Sequence, residues 1–106
     1  FLETYASDRS GLESALRSMT DSGWFENVSG FIFGRPLFYE GDDYRDAVLS
    51  VIGNIGVPAV FDADVGHKAP RMPMVNGAVA EVSVRDGRCT VNYPELGANP
   101  NKDAYR

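Results

Sequence analysis

Three short apolar runs, Phe1-Leu2, Phe31-Ile32-Phe33 and Pro58-Ala59-Val60-Phe61, show no alternation of polar and apolar residues. A strand with one wet face alternates, so unbroken runs of this length predict strands covered on both faces, as in parallel sheets. Helical patterns separate them. Leu12, Ala15, Leu16 and Met19 follow the i, i+3, i+4, i+7 spacing of a helix with one buried face. Ser7, Asp8 or Ser10 can cap its start, with Ser10 and Glu13 in capping-box register, and Gly23 can close it. A second pattern runs from Asp42 or Asp43 through Tyr44, Ala47, Val48, Val51 and Ile52 to about Gly53, with acids complementing the helix dipole in its first turn. The expectation is strands near residues 1 to 4, 30 to 34 and 57 to 62, and helices near 8 to 22 and 42 to 53. Strands and helices in that order with tight connections make right-handed βαβ crossovers, hence an α/β fold.

After Pro73 the pattern changes to alternation. Ala78, Ala80, Val82 and Val84 share one face, and Asp86-Gly87 is the residue pair that a two-residue type I′ turn favours. Folding about that turn pairs Val84 with Cys89, Val82 with Val91 and Ala80 with Tyr93, so the apolar faces coincide without a register shift. It also sets Arg85 beside Arg88, a pair tolerable only in solvent. From Pro94 the sequence loses periodicity, which predicts an irregular, partly mobile tail over residues 94–106 after a domain over residues 1–93.

Composition narrows the function classes. The 106 residues are 43% apolar and 24% charged, ordinary for one globular domain that folds without disulfides or a structural metal. The single Cys89 agrees with that. Ten basic residues against fifteen acidic ones give a net charge of −5, which disfavours a grip on nucleic-acid phosphates. The acidic excess lies in residues 1–54, with nine acids and four bases, and reads as a solvated face. No apolar stretch approaches the roughly 20 residues of a membrane span, so a soluble protein without a membrane partner is expected. The chain opens on Phe1 in a strand pattern without an initiator Met, which predicts a piece cut from a longer protein.

In an open parallel sheet, ligands bind beyond the carboxyl ends of the strands. Glu3 follows Leu2 there, Arg35 follows Phe33-Gly34, and His67 follows the run Phe61 to Gly66. His67 beside Glu3 makes a base and its orienting acid, two thirds of a triad that activates a hydroxyl. The nucleophile is missing: no serine lies in a G-x-S-x-G elbow, and Ser7, Ser10, Ser14, Ser18 and Ser22 read as helix cap and helix surface. Cys89 could pair with His67 as a thiol, but its place on the Val84 and Val91 face predicts a buried structural residue. A metal site of His67 with Asp62 and Asp64 lacks a spaced ligand motif.

The segments Phe1-Leu2-Glu3-Thr4, Ser22-Gly23, Val28-Ser29-Gly30-Phe31-Ile32-Phe33-Gly34-Arg35, Ile55-Gly56-Val57-Pro58 and Val65-Gly66-His67, in this order, resemble the C-terminal domain of the LD-carboxypeptidases. The similarity spans roughly residues 1 to 93 and is greatest to the microcin C self-immunity branch. The resemblance implies a swivelling β/β/α three-layer domain, with a mainly parallel sheet and a small antiparallel hairpin sheet. It gives Glu3 and His67 the acid and base roles of a Ser-His-Glu triad whose serine belongs to an N-terminal nucleophile domain outside this chain. It further implies a cytoplasmic serine peptidase, usually a homodimer, with no cofactor. Its substrate would be either the L,D amide of a muropeptide, in peptidoglycan recycling, or the amide of an acidic aminoacyl-nucleotide. Arg35, by position and by its bidentate fork, is a candidate anchor for a substrate carboxylate or phosphate. Two departures from the family pattern bear on specificity: Lys68 where small residues are frequent, and a longer segment from Pro73 to Gly77. The competing reading is a non-catalytic α/β module for dimerisation or ligand binding, in which Glu3 and His67 are incidental. A nucleophile-elbow serine upstream separates the two.

Overall fold

The computed structural model describes residues 1–97. Its elements are β1 (Tyr5–Asp8), α1 (Arg9–Asp21), β2 (Phe31–Gly34), β3 (Leu37–Glu40), α2 (Tyr44–Ile52), a 3-10 turn (Gly53–Ile55), β4 (Ala59–Ala63), β5 (Glu81–Arg85), β6 (Arg88–Asn92) and α3 (Pro94–Gly97). The protein is mixed α/β: β1 pairs with β3 and β2 with β4, both parallel, and β5 pairs with β6 antiparallel. Contacts divide the chain into two units, Phe1–Met72 and Pro73 onward. No described helix is long and apolar enough to cross a membrane.

In the first unit, the N-terminal strand differs from the one expected at residues 1 to 4. Leu2 makes a single parallel bridge to Phe33, and the paired strand begins at Tyr5, opposite Leu37. The interruption lies opposite Arg35-Pro36, where proline has no N–H to give to a ladder. Pairing resumes when the Leu37 N–H donates to the Thr4 carbonyl at 3.1 Å. Strand β3 itself was not expected, because Leu37-Phe38-Tyr39 is a short run between a proline and an acidic loop.

Both helices start as their sequences require. The Asp8 carboxylate accepts from the Gly11 N–H at 2.7 Å and caps α1, and Asp43 caps α2 through the Asp46 N–H at 3.2 Å. The Ser10–Glu13 capping box does not form, since Ser10 already lies inside the helix and Glu13 takes the Arg9 Nε–H at 2.8 Å. Arg9 also reaches Asp42 and Asp46, both at 2.9 Å, and so ties the start of α1 to that of α2. Between the helices and β2 lies the core of Leu12, Leu16, Phe25, Phe31, Phe33, Ala47, Val48 and Ile52. Phe31 and Phe33 sit two apart on one face of β2, where Phe33 stacks between Phe31 and Phe61 at centroid distances of 5.7 and 5.3 Å. The β2–β4 register shifts between Ile32 and Gly34, and Asp62 in the opposing stretch has φ 59°. A bulge there spends one extra residue and re-aims the end of β4.

In the second unit the hairpin forms in the register read from the sequence, with Val82 opposite Val91, Val84 opposite Cys89 and Arg85 opposite Arg88. Asp86 and Gly87 both have positive φ, 51° and 75°, as a type I′ turn needs. The ladder ends at Glu81–Asn92, so Ala80 and Tyr93 fall outside it. Cys89 is half-buried rather than buried, because Val82 and Val84 on the same face are themselves exposed. Pro94–Gly97 forms one helical turn where irregular chain was expected, and the rest of the tail lies outside the described residues.

Candidate functional site

Glu3 is held by backbone bonds on either side of it. The Leu2 N–H donates to the Ile32 carbonyl at 2.8 Å, the Leu2 carbonyl accepts from Gly34 at 3.0 Å, and the Thr4 carbonyl accepts from Leu37. Alternation along an extended chain then sorts the side chains. Leu2 packs against the core, and the Thr4 hydroxyl meets the Tyr44 hydroxyl of α2 at 2.7 Å. Burial pushes the Tyr44 phenol above its ordinary pKa while the Thr4 bond opposes the rise, so the phenol stays neutral. Glu3 and Tyr5, at the intervening positions, share the other face.

His67 reaches that face by an indirect route. The Leu2 bridge and β4 flank β2 on opposite edges, so the strand carrying Glu3 and the strand leading to His67 are not neighbours. After β4 the chain turns tightly, with the Val65 N–H donating to the Ala63 carbonyl at 2.8 Å, and then passes over Gly34. A Cβ at Gly34 would overlap the Val65 carbonyl. Gly66 follows with φ 110°, and a Cβ there would lie 2.7 Å from Glu3 Oε2. Two glycines thus allow two close approaches, and His67 arrives beside Glu3.

The contact is 2.7 Å from Glu3 Oε2 to His67 Nδ1, with both side chains partly open to solvent, at 42% and 55% exposure. An ionised carboxylate only accepts, so Nδ1 is the nitrogen that donates in this contact, and in the neutral ring that leaves the lone pair on Nε2. Nε2 has no hydrogen-bond partner among the described residues. Tyr5 covers one face of the imidazole, with centroids 4.6 Å apart and planes at 36°, and Phe38 meets Tyr5 edge-on at 5.7 Å. One oriented imidazole with a free basic nitrogen is suited to taking and returning a proton. No serine, threonine or cysteine side chain hydrogen-bonds to it among the described residues.

Arg35 stands apart from the pair. Its Nη2 donates to the Pro70 carbonyl at 2.6 Å and to the Lys68 carbonyl at 3.3 Å, and lies 3.1 Å from Asp64 Oδ1. Asp62, the other acid considered with His67 for a metal, faces Arg45 at 3.6 Å instead. Among the described residues no group of three His, Cys, Asp or Glu side chains is placed to hold a metal ion. Sequence reasoning missed Tyr5 and the crossings that Gly34 and Gly66 permit, and it weighed Asp64 only as a metal ligand, not as a partner of Arg35. A glycine directly at a strand end and another directly before the histidine were the available signals for the two crossings.

Comparison with known proteins bears on the same residues. The model of the LD-carboxypeptidase C-terminal domain matches residues 1–82, ending inside β5 and including both Glu3 and His67. A Streptomyces coelicolor protein named "putative carboxypeptidase" is 30% identical over 95 residues, which are 89% of this chain and 29% of that protein. The chain therefore spans less than a third of that relative's length. With this match over most of its length, the chain belongs to the LD-carboxypeptidase C-terminal domain family, a family of carboxypeptidase proteins.

Proposed function

We propose that this chain supplies the base and its orienting acid to a serine carboxypeptidase whose nucleophile lies in an N-terminal domain of the longer protein. The observation that carries the reading is the 2.7 Å contact between Glu3 and His67, within the stretch that matches the family. Residues 64 apart in sequence meet here without any direct strand pairing between their segments. In the reaction, His67 Nε2 takes the serine proton as the serine oxygen bonds to the scissile carbonyl carbon. The imidazolium then gives that proton to the leaving amine as the amide C–N bond breaks, and a water molecule repeats the cycle to release the acyl group. Glu3 holds the proton on Nδ1 throughout and stabilises the imidazolium when it forms.

Two substrates fit this chemistry: a muropeptide cut at its terminal L,D amide, and an aminoacyl-nucleotide carrying an acidic aminoacyl group. The protein would act in the cytoplasm as a homodimer. Assay of the intact protein on both substrates tests the reading, with turnover of one or the other expected. The 106-residue chain by itself should hydrolyse neither above background, because a base without nucleophile and oxyanion donors retains almost none of the mechanism. Turnover by the chain that survives His67→Ala would place the chemistry elsewhere. Turnover lost with Cys89→Ser would assign it to the thiol. An intact protein inert on every amide offered, with a folded Glu3–His67 pair, would favour the non-catalytic module.

A further inference from the structure

We infer that Arg35 is a positioning residue that holds the His67 segment in place, an inference that rests on the reading of His67 as the base. The contacts of Arg35 bracket the histidine. Nη2 reaches Asp64, three residues before it, and the carbonyls of Lys68 and Pro70, one and three residues after it. The Arg35 N–H adds a bond to the Ala63 carbonyl at 3.3 Å, where β4 ends. The segment so gripped has no helix or strand of its own. Its own further backbone bond, from Met72 to the Asp64 carbonyl at 2.7 Å, closes the loop at its base rather than near His67. The Glu3 contact alone is a solvent-exposed side-chain hydrogen bond, the kind that orders little by itself. Arg35 therefore supplies the grip that the loop lacks.

The grip is made by one end of the guanidinium. All three contacts converge on Nη2, whose two N–H bonds are shared among the Asp64 carboxylate and the Lys68 and Pro70 carbonyls, with the Pro70 bond the shortest. The side chain is only 24% exposed, and its Nε is buried without a partner. Nη2 belongs to both edges through which a guanidinium binds a carboxylate bidentately, so its engagement leaves neither edge free for a substrate. Gly34, immediately before, lets the Val65 backbone cross, so consecutive residues admit the loop and then hold it.

The chain contains one histidine, so its imidazole nitrogen NMR spectrum reports His67 alone. Arg35→Gln is expected to lower the ratio of the Nδ1–H to the Nε2–H form about tenfold, the scale of one hydrogen bond to a charged group. Arg35→Lys keeps a charged donor near Asp64 but not the reach and direction of Nη2, and should restore the ratio in part. In the intact protein the same variants should lower kcat by about tenfold to a hundredfold with KM little changed, as misplacement of a catalytic group does. An unchanged imidazole spectrum in both variants would overturn the inference, as would a raised KM with kcat intact, the result for a substrate anchor. If Arg35→Gln does not fold, Arg35→Lys decides by the same two readouts. A changed spectrum with unchanged turnover would sink the triad reading and leave the positioning role standing.

Discussion

In the intact protein, His67→Ala is expected to lower kcat by about four orders of magnitude, because the serine loses the group that takes its proton and returns it to the amine. Glu3→Gln should approach the same loss by a different route. A glutamine amide can donate to Nδ1, which moves the imidazole proton to Nε2 and leaves no lone pair for the nucleophile. The two residues act as one unit, so adding Glu3→Gln to His67→Ala should cost little more. Stability should hardly change, since both side chains are partly exposed and neither belongs to the core. Steady-state kinetics on whichever amide the protein cleaves, with thermal melting of each variant, checks all three statements. Turnover of His67→Ala within about tenfold of the parent would remove the base from His67.

The second large effect is steric. Gly34→Ala is expected to destabilise the protein by about 3 kcal/mol, because the new methyl group would collide with backbone and the chain has no rotamer with which to relieve it. The atoms in the way are the Val65 carbonyl group and Cβ, two residues before His67. Any relaxation must lift the crossing segment away from β2, so the variant should also lose turnover beyond its loss of stability. Gly56→Ala is the control. Its φ of 81° disfavours alanine, but no atom stands within 4 Å of the added carbon, so a cost of about 1 kcal/mol and unchanged turnover are expected. Urea unfolding of the two variants, read with their kcat, separates a backbone preference from a blocked crossing. Equal midpoints for the two would mean that the crossing yields easily.

The parts of the fold that sequence alone displayed are those with a short period and a local punctuation mark. The hairpin is the clearest: alternation sets the face, Asp86-Gly87 sets the turn, and Val82 then has only one partner. Helices α1 and α2 were legible from apolar spacing, although which of three residues caps α1 was left to geometry. Strand β3 was hidden because Pro36 cuts the extended stretch in two and leaves a run too short to show a period. Asp62 at φ 59° was hidden as well, since a non-glycine residue in the left-handed region leaves no mark in sequence.

The site divides in the same way. Glu3 and His67 could be singled out as residues beyond strand ends, and the family pattern names both. Their route to each other could not. Adjacent strands were the obvious means of bringing them together, whereas β2 lies between, and the chain after β4 passes over Gly34 to close the gap. Arg35 was legible only as a basic residue at the right edge. Its partners lie 29 to 35 residues away, and two of them are carbonyl groups, which every residue has and no sequence distinguishes.

The proposed base depends on one proton held at one nitrogen, and the lone imidazole makes that directly visible. The imidazole nitrogen spectrum of this chain, read on the neutral ring, should show the proton on Nδ1 and the lone pair on Nε2. Glu3→Gln should abolish that pattern and move the proton to Nε2. A parent spectrum with the proton already on Nε2, or one that Glu3→Gln leaves unchanged, would contradict the account.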